Sequence, residues 1–320
     1  MQITDVLALQ SLKGVGNRTL VKIIEFYRAN NLKTIREIDF TKVPKLNSSV
    51  AQAAAALFTS GEYDRLSQDC EKSISAWRDG GIDVVAYGSR DYPAQLNALL
   101  DPPALLFCKG NRELLKSPKS IAVVGTRNNT KLGEKIAYKT VEHFSNEGFC
   151  IVSGLALGID AIAHRAALNN KGRTIAVLVD LISIAPSNHR DLAEQILRQD
   201  GLLVSENRPG TKILPALFAK RDRIQAGLAM AVFAVETAID GGTMHAVKAA
   251  TSIQRKVFVP NASAAGYPDL GIEQISGTQQ LVHSGVATSY TRDTYAEISQ
   301  ALNLAAASFT DTARETGSSL

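Results

Sequence analysis

From about residue 81 onward, short runs of β-branched and apolar residues alternate with stretches whose apolar positions recur every three to four residues. That alternation predicts βαβ units and a mostly parallel sheet with helices on both faces. The expected strands are 82–86, 104–107, 120–124, 149–152, 174–179, 202–205, 231–235 and 256–259. The expected helices are 133–147, 159–169, 190–199 and 243–253, the first carrying Ile136, Ala137, Val141 and Phe144 on one face. Upstream the pattern is helical: 5–12, 17–29, a break at Val43-Pro44, then 48–58. The expected class is α/β, a Rossmann-like sheet preceded by a small helical domain. The expected divisions are 1–75 (helical, helix-hairpin-helix-like), 76–290 (Rossmann-like) and 291–320. The last is read as a helix over 294–307 and a flexible tail rich in Thr, Ser and Gly, without a winged helix.

Composition narrows the function classes. Apolar residues make up 45% and charged residues 21% of the 320, so most of the chain is expected to fold. Lys and Arg total 35 against 31 acidic residues, a net charge of +4, so any basic footprint must be local. Three widely spaced cysteines, Cys70, Cys108 and Cys150, suit buried thiols in a reducing cytoplasm better than a disulfide framework or a zinc ribbon. No signal-like N-terminus is evident, and the longest apolar run, 226–235, is too short for the roughly 20 residues that span a bilayer. The expectation is a cytoplasmic protein without a membrane partner.

Candidate chemistry gathers where strands end, because open parallel sheets bind ligands outside the carboxyl ends of their strands. After 120–124 comes Gly125-Thr126-Arg127, where glycine permits close backbone approach and arginine grips a phosphate. After 149–152 comes Ser153-Gly154-Leu155-Ala156-Leu157-Gly158-Ile159-Asp160, two glycines just ahead of a helix, resembling an anion-cradling turn. Asp160 either caps that helix or meets a ligand; His164, four residues on, shares its face and is expected to pair with it. After Glu206 a loop is expected to run to Phe218-Ala219-Lys220-Arg221-Asp222-Arg223. Its three cations beside a ring form the combination that single-stranded nucleic acid requires. Asp240-Gly241-Gly242-Thr243 opens a helix and offers a second phosphate seat. In the helical region Lys13-Gly14-Val15-Gly16 has the form of a hairpin turn whose backbone amides at Gly14 and Gly16 can hold a phosphate.

No Ser-His-Asp order with a nucleophile elbow, no His-Glu-x-x-His, no Cys-x-x-Cys and no carboxylate cluster for magnesium occurs. Neither catalysis, nor a metal, nor a cofactor is expected.

Taken in order, Tyr92-Pro93, Asp101-Pro102-Pro103, Gly110-Asn111, Gly125-Thr126-Arg127, Ser153 through Asp160 with His164-Arg165, Asn188-His189-Arg190, Pro209-Gly210-Thr211 and Phe218 through Arg223 resemble the DprA/Smf family of bacterial DNA-processing proteins. The resemblance runs over about 83–282 and implies a SAM-like helical domain ahead of the Rossmann-like one. It implies homodimers that bind single-stranded DNA in a basic pocket, protect it and hand it to the RecA recombinase, without turnover. On that resemblance Arg127, Lys220, Arg221 and Arg223 contact DNA, Ser153 and Gly154 floor the pocket, and Phe218 stacks. Three departures stand out: Asp222 where the family has Asn, Asp180-Leu181-Ile182 where it has a glycine turn, and Asp240-Gly241-Gly242-Thr243 where it has Ser-Gly-Ser. They leave two alternatives open. One is a diverged paralogue that senses a nucleotide-derived ligand in the same crevice, in stress or phage defence, with an unidentified effector protein. The other is a nucleoside-monophosphate phosphoribohydrolase, whose Gly-Gly turn is followed by a glutamate; here Met244-His245 follow instead.

Overall fold

The computed structural model describes residues 1–266 and 275–317, with side chains described through 309. The end of the expected tail, 318–320, lies outside the described residues. Two compact units emerge, one of Met1–Tyr92 with Leu100–Cys108, the other of Pro93–Leu99 with Lys109–Leu320.

The first unit contains α1 (Ile3–Gln10), α2 (Asn17–Ala29), α3 (Ser48–Thr59) and α4 (Glu62–Asp79), then strand β1 (Ile82–Ala86) and the start of β2 (Leu105–Gly110). The α1–α2 turn is tight: Gly14 adopts φ +83° and Val15 N donates to Leu12 O at 3.2 Å. A left-handed φ favours glycine there, whereas Gly16, at φ −108° with open space around it, has no such requirement. The 18-residue α4 was not evident in the sequence, because Cys70 is its one buried residue. Its Trp77 instead meets Phe107 edge-on at 5.2 Å.

The second unit is the sheet domain. Its strands are β3 (Ser120–Val124), β4 (Cys150–Ser153), β5 (Thr174–Val177), β6 (Leu202–Ser205), β7 (Ala231–Ala234), β8 (Lys256–Pro260) and β9 (Thr288–Tyr290). They pair in parallel in the order β6-β5-β4-β3-β7-β8-β9. From β3 the chain winds outward through β4, β5 and β6, then returns to β3's other side and winds the opposite way through β7 and β8. The reversal between β3 and β7 is a topological switch point. Between strands lie α5 (Lys131–Asn146), α6 (Ile159–Asn169), α7 (Arg190–Arg198), α8 (Pro215–Leu228), α9 (Thr243–Ser252), α10 (Ala262–Ala265), α11 (Ser276–His283) and α12 (Tyr295–Gly317).

The Rossmann-like expectation holds, with strand ends shifted by at most three residues. Fully buried strands explain why it was visible: Ile121, Val123, Ile151 and Phe233 on one face and Ala122, Val152 and Val232 on the other are 0% exposed, so both faces are apolar. On α5 the foreseen face forms, with Ala137, Val141 and Phe144 buried and Ile136 packed beside them. Phe144 meets Phe149, Phe233 and Tyr295 at 4.8–5.9 Å, and each such ring contributes about 1.5–3 kcal/mol by burial. Tyr290 and Tyr295 both reach the Thr140 hydroxyl, at 3.0 and 2.8 Å, which ties β9 and α12 to α5.

Two expectations require correction: α12 runs on to Gly317, through residues read as a flexible tail after 307, and a helix stands where a loop was expected. The segment after Glu206 is not a loop as far as Arg223: α8 begins at Pro215, a residue whose missing N–H and fixed φ suit a helix start. The helix was hidden because Lys220-Arg221-Asp222-Arg223 put charge on every side of it, Arg221 facing inward at 4% exposure. Among the described residues no helix is long and apolar enough to cross a membrane, and no cluster of His, Cys, Asp and Glu is arranged to hold a metal.

Candidate nucleic-acid interface

At the switch point the ends of β3 and β4, the face of α8 and the start of α9 enclose a cleft of about 240 Å³. That is below the ~300–1,000 Å³ of sites for drug-sized ligands. Of the residues singled out from the sequence, Gly125, Arg127, Phe218, Arg221, Gly242 and Thr243 line it. Thr126, Ser153, Gly154, Gly158, Lys220, Arg223 and Gly241 stand behind or beside the wall, and Gly14 and Gly16 belong to the first unit.

The glycines serve packing more than ligand approach. A Cβ on Gly125 would lie 2.5 Å from Ile159 Cγ1, so its absence lets α6 start against β3. Thr126 is committed through its backbone: its N–H donates to Glu236 O at 2.7 Å and its carbonyl accepts from Ile159 N at 3.2 Å. Gly158, at φ +76°, leaves no room for a Cβ, which would lie 2.3 Å from Thr126 O. Gly154 is faced by a guanidinium, its hypothetical Cβ 1.5 Å from Arg221 Nη1. The turn after β4 is therefore filled by Arg221 and is not an open anion cradle. Ser153 Oγ donates to Val123 O at 2.7 Å, fastening β4 to β3, and His189 Nδ1 lies 2.8 Å from the carbonyl of Leu155.

Arg221 is the hub. Its Nη2 donates to Gly154 O at 2.8 Å and lies 3.8 Å from Asp160 Oδ2, while Nη1 lies 3.3 Å from Asp222 Oδ1. Burial, and then the neighbouring Asp160, push the Asp222 carboxyl up to about 6, against the pull of Arg221 and Arg127. Burial likewise raises Asp160, with Arg221 opposing. Asp160 accepts from Ala156 N at 3.4 Å. The expected Asp160–His164 pair does not form: His164 turns to β5, its Nδ1 2.7 Å from Thr174 Oγ1. Burial first and Arg221 second depress the His164 imidazole to about 3, so it is neutral.

The other two cations are also held. Arg223 grips Glu206 bidentately at 2.7 and 3.0 Å, and Lys220 Nζ is 3.5 Å from the same carboxylate, itself 5% exposed. These cations are therefore part of the fold as well as of the surface, since Arg221 is buried between two acids and Arg223 is joined to a third. Arg127 differs: exposed, with its guanidinium 5.6 Å from the Phe218 ring centroid, it has no ion pair among the described residues.

The turn after β7 is closed by Glu236, fully buried, whose carboxylate accepts from Thr130 N at 2.9 Å and Thr130 Oγ1 at 2.6 Å. Gly241 is required by Thr237, whose Oγ1 would be 2.4 Å from a Cβ; Gly242 faces open space. At the changed position after β5, Asp180 accepts from Ser183 N and Gly210 N, both at 2.8 Å, and so holds two loops that a glycine would leave untied. Sequence reasoning missed Gln225 and His245 at the cleft, left Asp160 between a cap and a ligand contact, and named Asp222 only as a departure from the family. Read as a helix, 215–228 would have revealed Gln225, since Phe218, Asp222 and Gln225 share one face at i, i+4, i+7. A larger cavity of about 470 Å³ lies beyond β8 and β9, away from the switch point, and its Lys139 is paired with Glu142.

Residues 83–303 match the family model of DNA recombination-mediator protein A. DNA processing protein DprA of Bacillus subtilis is 33% identical over 216 residues, 67% of this chain and 72% of that protein. The crystal structure of DprA from Streptococcus pneumoniae superimposes with a TM-score of 0.75 at 30% identity, covering 93% of this chain and 99% of the other. DNA processing protein A of Helicobacter pylori, whose structure concerns its single-stranded DNA binding mode, gives a TM-score of 0.60 at 26% identity over 69% of this chain and 95% of its own.

Proposed function

This chain belongs to the DNA recombination-mediator protein A family, the DprA/Smf DNA-processing proteins, and from that premise we propose that it binds single-stranded DNA at the β3/β7 cleft without chemically altering it. The carrying observation is Arg127 stacked over Phe218 at the cleft wall. A guanidinium without an ion pair among the described residues supplies a phosphate contact, and the ring beneath it supplies a base-stacking surface. The H. pylori relative's single-stranded DNA binding supports the same ligand here. Lys220 and Arg223 contribute once phosphate competes with Glu206, Arg221 holds the wall in place, and the Gly14–Gly16 turn offers a separate, weaker phosphate contact. The family premise extends the proposal to a homodimer that protects the strand and passes it to the RecA recombinase. A non-catalytic role fits the commitment of the cleft's carboxylates, with Asp160 and Asp222 on Arg221, and with Glu236 on Thr130 behind it. That last contact also removes support for a phosphoribohydrolase.

A nucleotide-sensing alternative draws on one observation. Asp160 and Asp222 neutralise Arg221, leaving the cleft weakly charged and small. Salt separates the two. Fluorescence anisotropy of a labelled oligothymidylate at ~50 and ~200 mM salt, with duplex competitor, should show a steep affinity loss if several phosphates are neutralised. Absence of binding at low salt refutes the DNA proposal.

A further inference from the structure

Gln225 occupies a position the DNA-binding proposal does not use. It lines the deep end of the cleft on α8, one turn beyond Asp222, and is 1% exposed. Its Nε2 donates to Asp222 Oδ1 at 2.8 Å. A carboxylate accepts only, so this contact fixes the amide orientation and turns Oε1 the other way. Oε1 is buried and has no hydrogen-bond partner among the described residues. A buried acceptor without a donor is costly and is repaid only by a ligand or water that donates to it. Beside it, both contacts of the Asp222 carboxylate fall on Oδ1, from Gln225 Nε2 and from Arg221 Nη1, leaving Oδ2 unpartnered among the described residues. The α8 side of the cleft thus carries two acceptors without a partner among the described residues, Gln225 Oε1 and Asp222 Oδ2, three positions apart in sequence on the helix face that also carries Phe218.

Among the bases, guanine alone offers two adjacent donors on its pairing edge, the ring N1–H and the N2 amino group. Adenine and cytosine each set one amino donor beside a ring acceptor, and thymine sets one imide N–H between two carbonyls, so each would oppose lone pair to lone pair. We propose that the cleft reads guanine, with Gln225 Oε1 and Asp222 Oδ2 accepting from N1–H and N2–H while Phe218 stacks on the ring and Arg127 meets the adjoining phosphate. This rests on nucleic acid or nucleotide binding at the cleft and adds base specificity to it. The shared chemistry is a guanine base, from a DNA strand or from a free nucleotide. The high Asp222 carboxyl pKa, with Arg221, Asp160 and Arg127 around it and His245 facing it from α9, adds that the acceptor pair is complete above about pH 6.

The test uses the full chain and short labelled oligothymidylates carrying either two separated guanines or two separated adenines, with affinity read by anisotropy at neutral pH. The guanine strand should bind at least about fivefold tighter, the lower range for a bidentate base contact. Asp222→Asn, which keeps shape but swaps an acceptor for a donor, and Gln225→Leu should each bring the guanine-to-adenine ratio to about one. Reading a ratio keeps the outcome independent of any general loss of affinity. Equal binding of the two strands by the native chain overturns guanine reading while leaving DNA binding intact. A ratio that persists in both variants assigns the preference elsewhere and also overturns it. If no strand binds, the DNA proposal falls separately, and calorimetry with GMP against AMP decides: preference for GMP sustains the inference, equal or absent binding ends it.

Discussion

Replacing Arg221 with methionine, which keeps the length of the stem and removes the charge, tests whether this arginine is structural before it is functional. The native guanidinium is 4% exposed, lies within 3.8 Å of Asp160 and 3.3 Å of Asp222, and donates to Gly154 O. Removing one partner from a buried ionic cluster leaves uncompensated carboxylates and costs about 3–5 kcal/mol. At roughly 2–4 °C per kcal/mol for a domain of this size, Tm should fall by about 6–20 °C. The loss should depend on pH. Asp222 sits at about 6 in the folded chain against an ordinary 3.8, so the folded state retains a proton the unfolded chain has released, and its contribution to stability declines as pH rises through that window. Without Arg221, Asp160 and Asp222 lose their counter-charge and rise further, extending the decline upward. Thermal melts of the native and Arg221→Met chains should therefore differ more near pH 8 than near pH 5, where both acids can be neutral. A Tm change of under about 2 °C, or a difference that grows as pH falls, refutes the reasoning.

Two further outcomes separate structure from binding. Arg127→Ala should weaken oligothymidylate binding about tenfold in anisotropy while Tm moves by no more than about 2 °C, because the side chain is exposed and free of ion pairs among the described residues. Gly154→Ala should lower Tm much as Arg221→Met does, its Cβ displacing the guanidinium 1.5 Å away, whereas Gly242→Ala, with nothing within 4 Å, should leave the melt unchanged.

The sheet was legible because buried parallel strands write themselves as short β-branched runs, and α5 because its apolar stripe has a helical period. What failed were elements without such a stripe: α4, with one buried residue, and α8, whose charges surround it. β9, three residues long, is too short to show any period. At the cleft, strand ends singled out in the sequence come together, and the fold shows packing reasons for their glycines that the sequence does not carry. A glycine records only that a Cβ has no room, and the atom that takes the room is chosen by the fold: Arg221 reaches Gly154 across 67 positions.

The same reasoning governs charge. Lys220, Arg221 and Arg223 look like one basic patch because like charges stand together in the chain, yet their acids come from elsewhere: Glu206 at the end of β6 for Lys220 and Arg223, Asp160 on α6 for Arg221. Only Asp222 was visible as a local counter-charge, and it too is spent on Arg221. The net electrostatics of the cleft are thus set by four strand ends converging at a switch point, which leaves Arg127, the cation that α6 and α8 do not need, as the charge available to a phosphate. On the proposed reading, a nucleic-acid site with few uncommitted cations draws its selectivity from hydrogen bonds, the role proposed for the Gln225 oxygen that has no partner among the described residues.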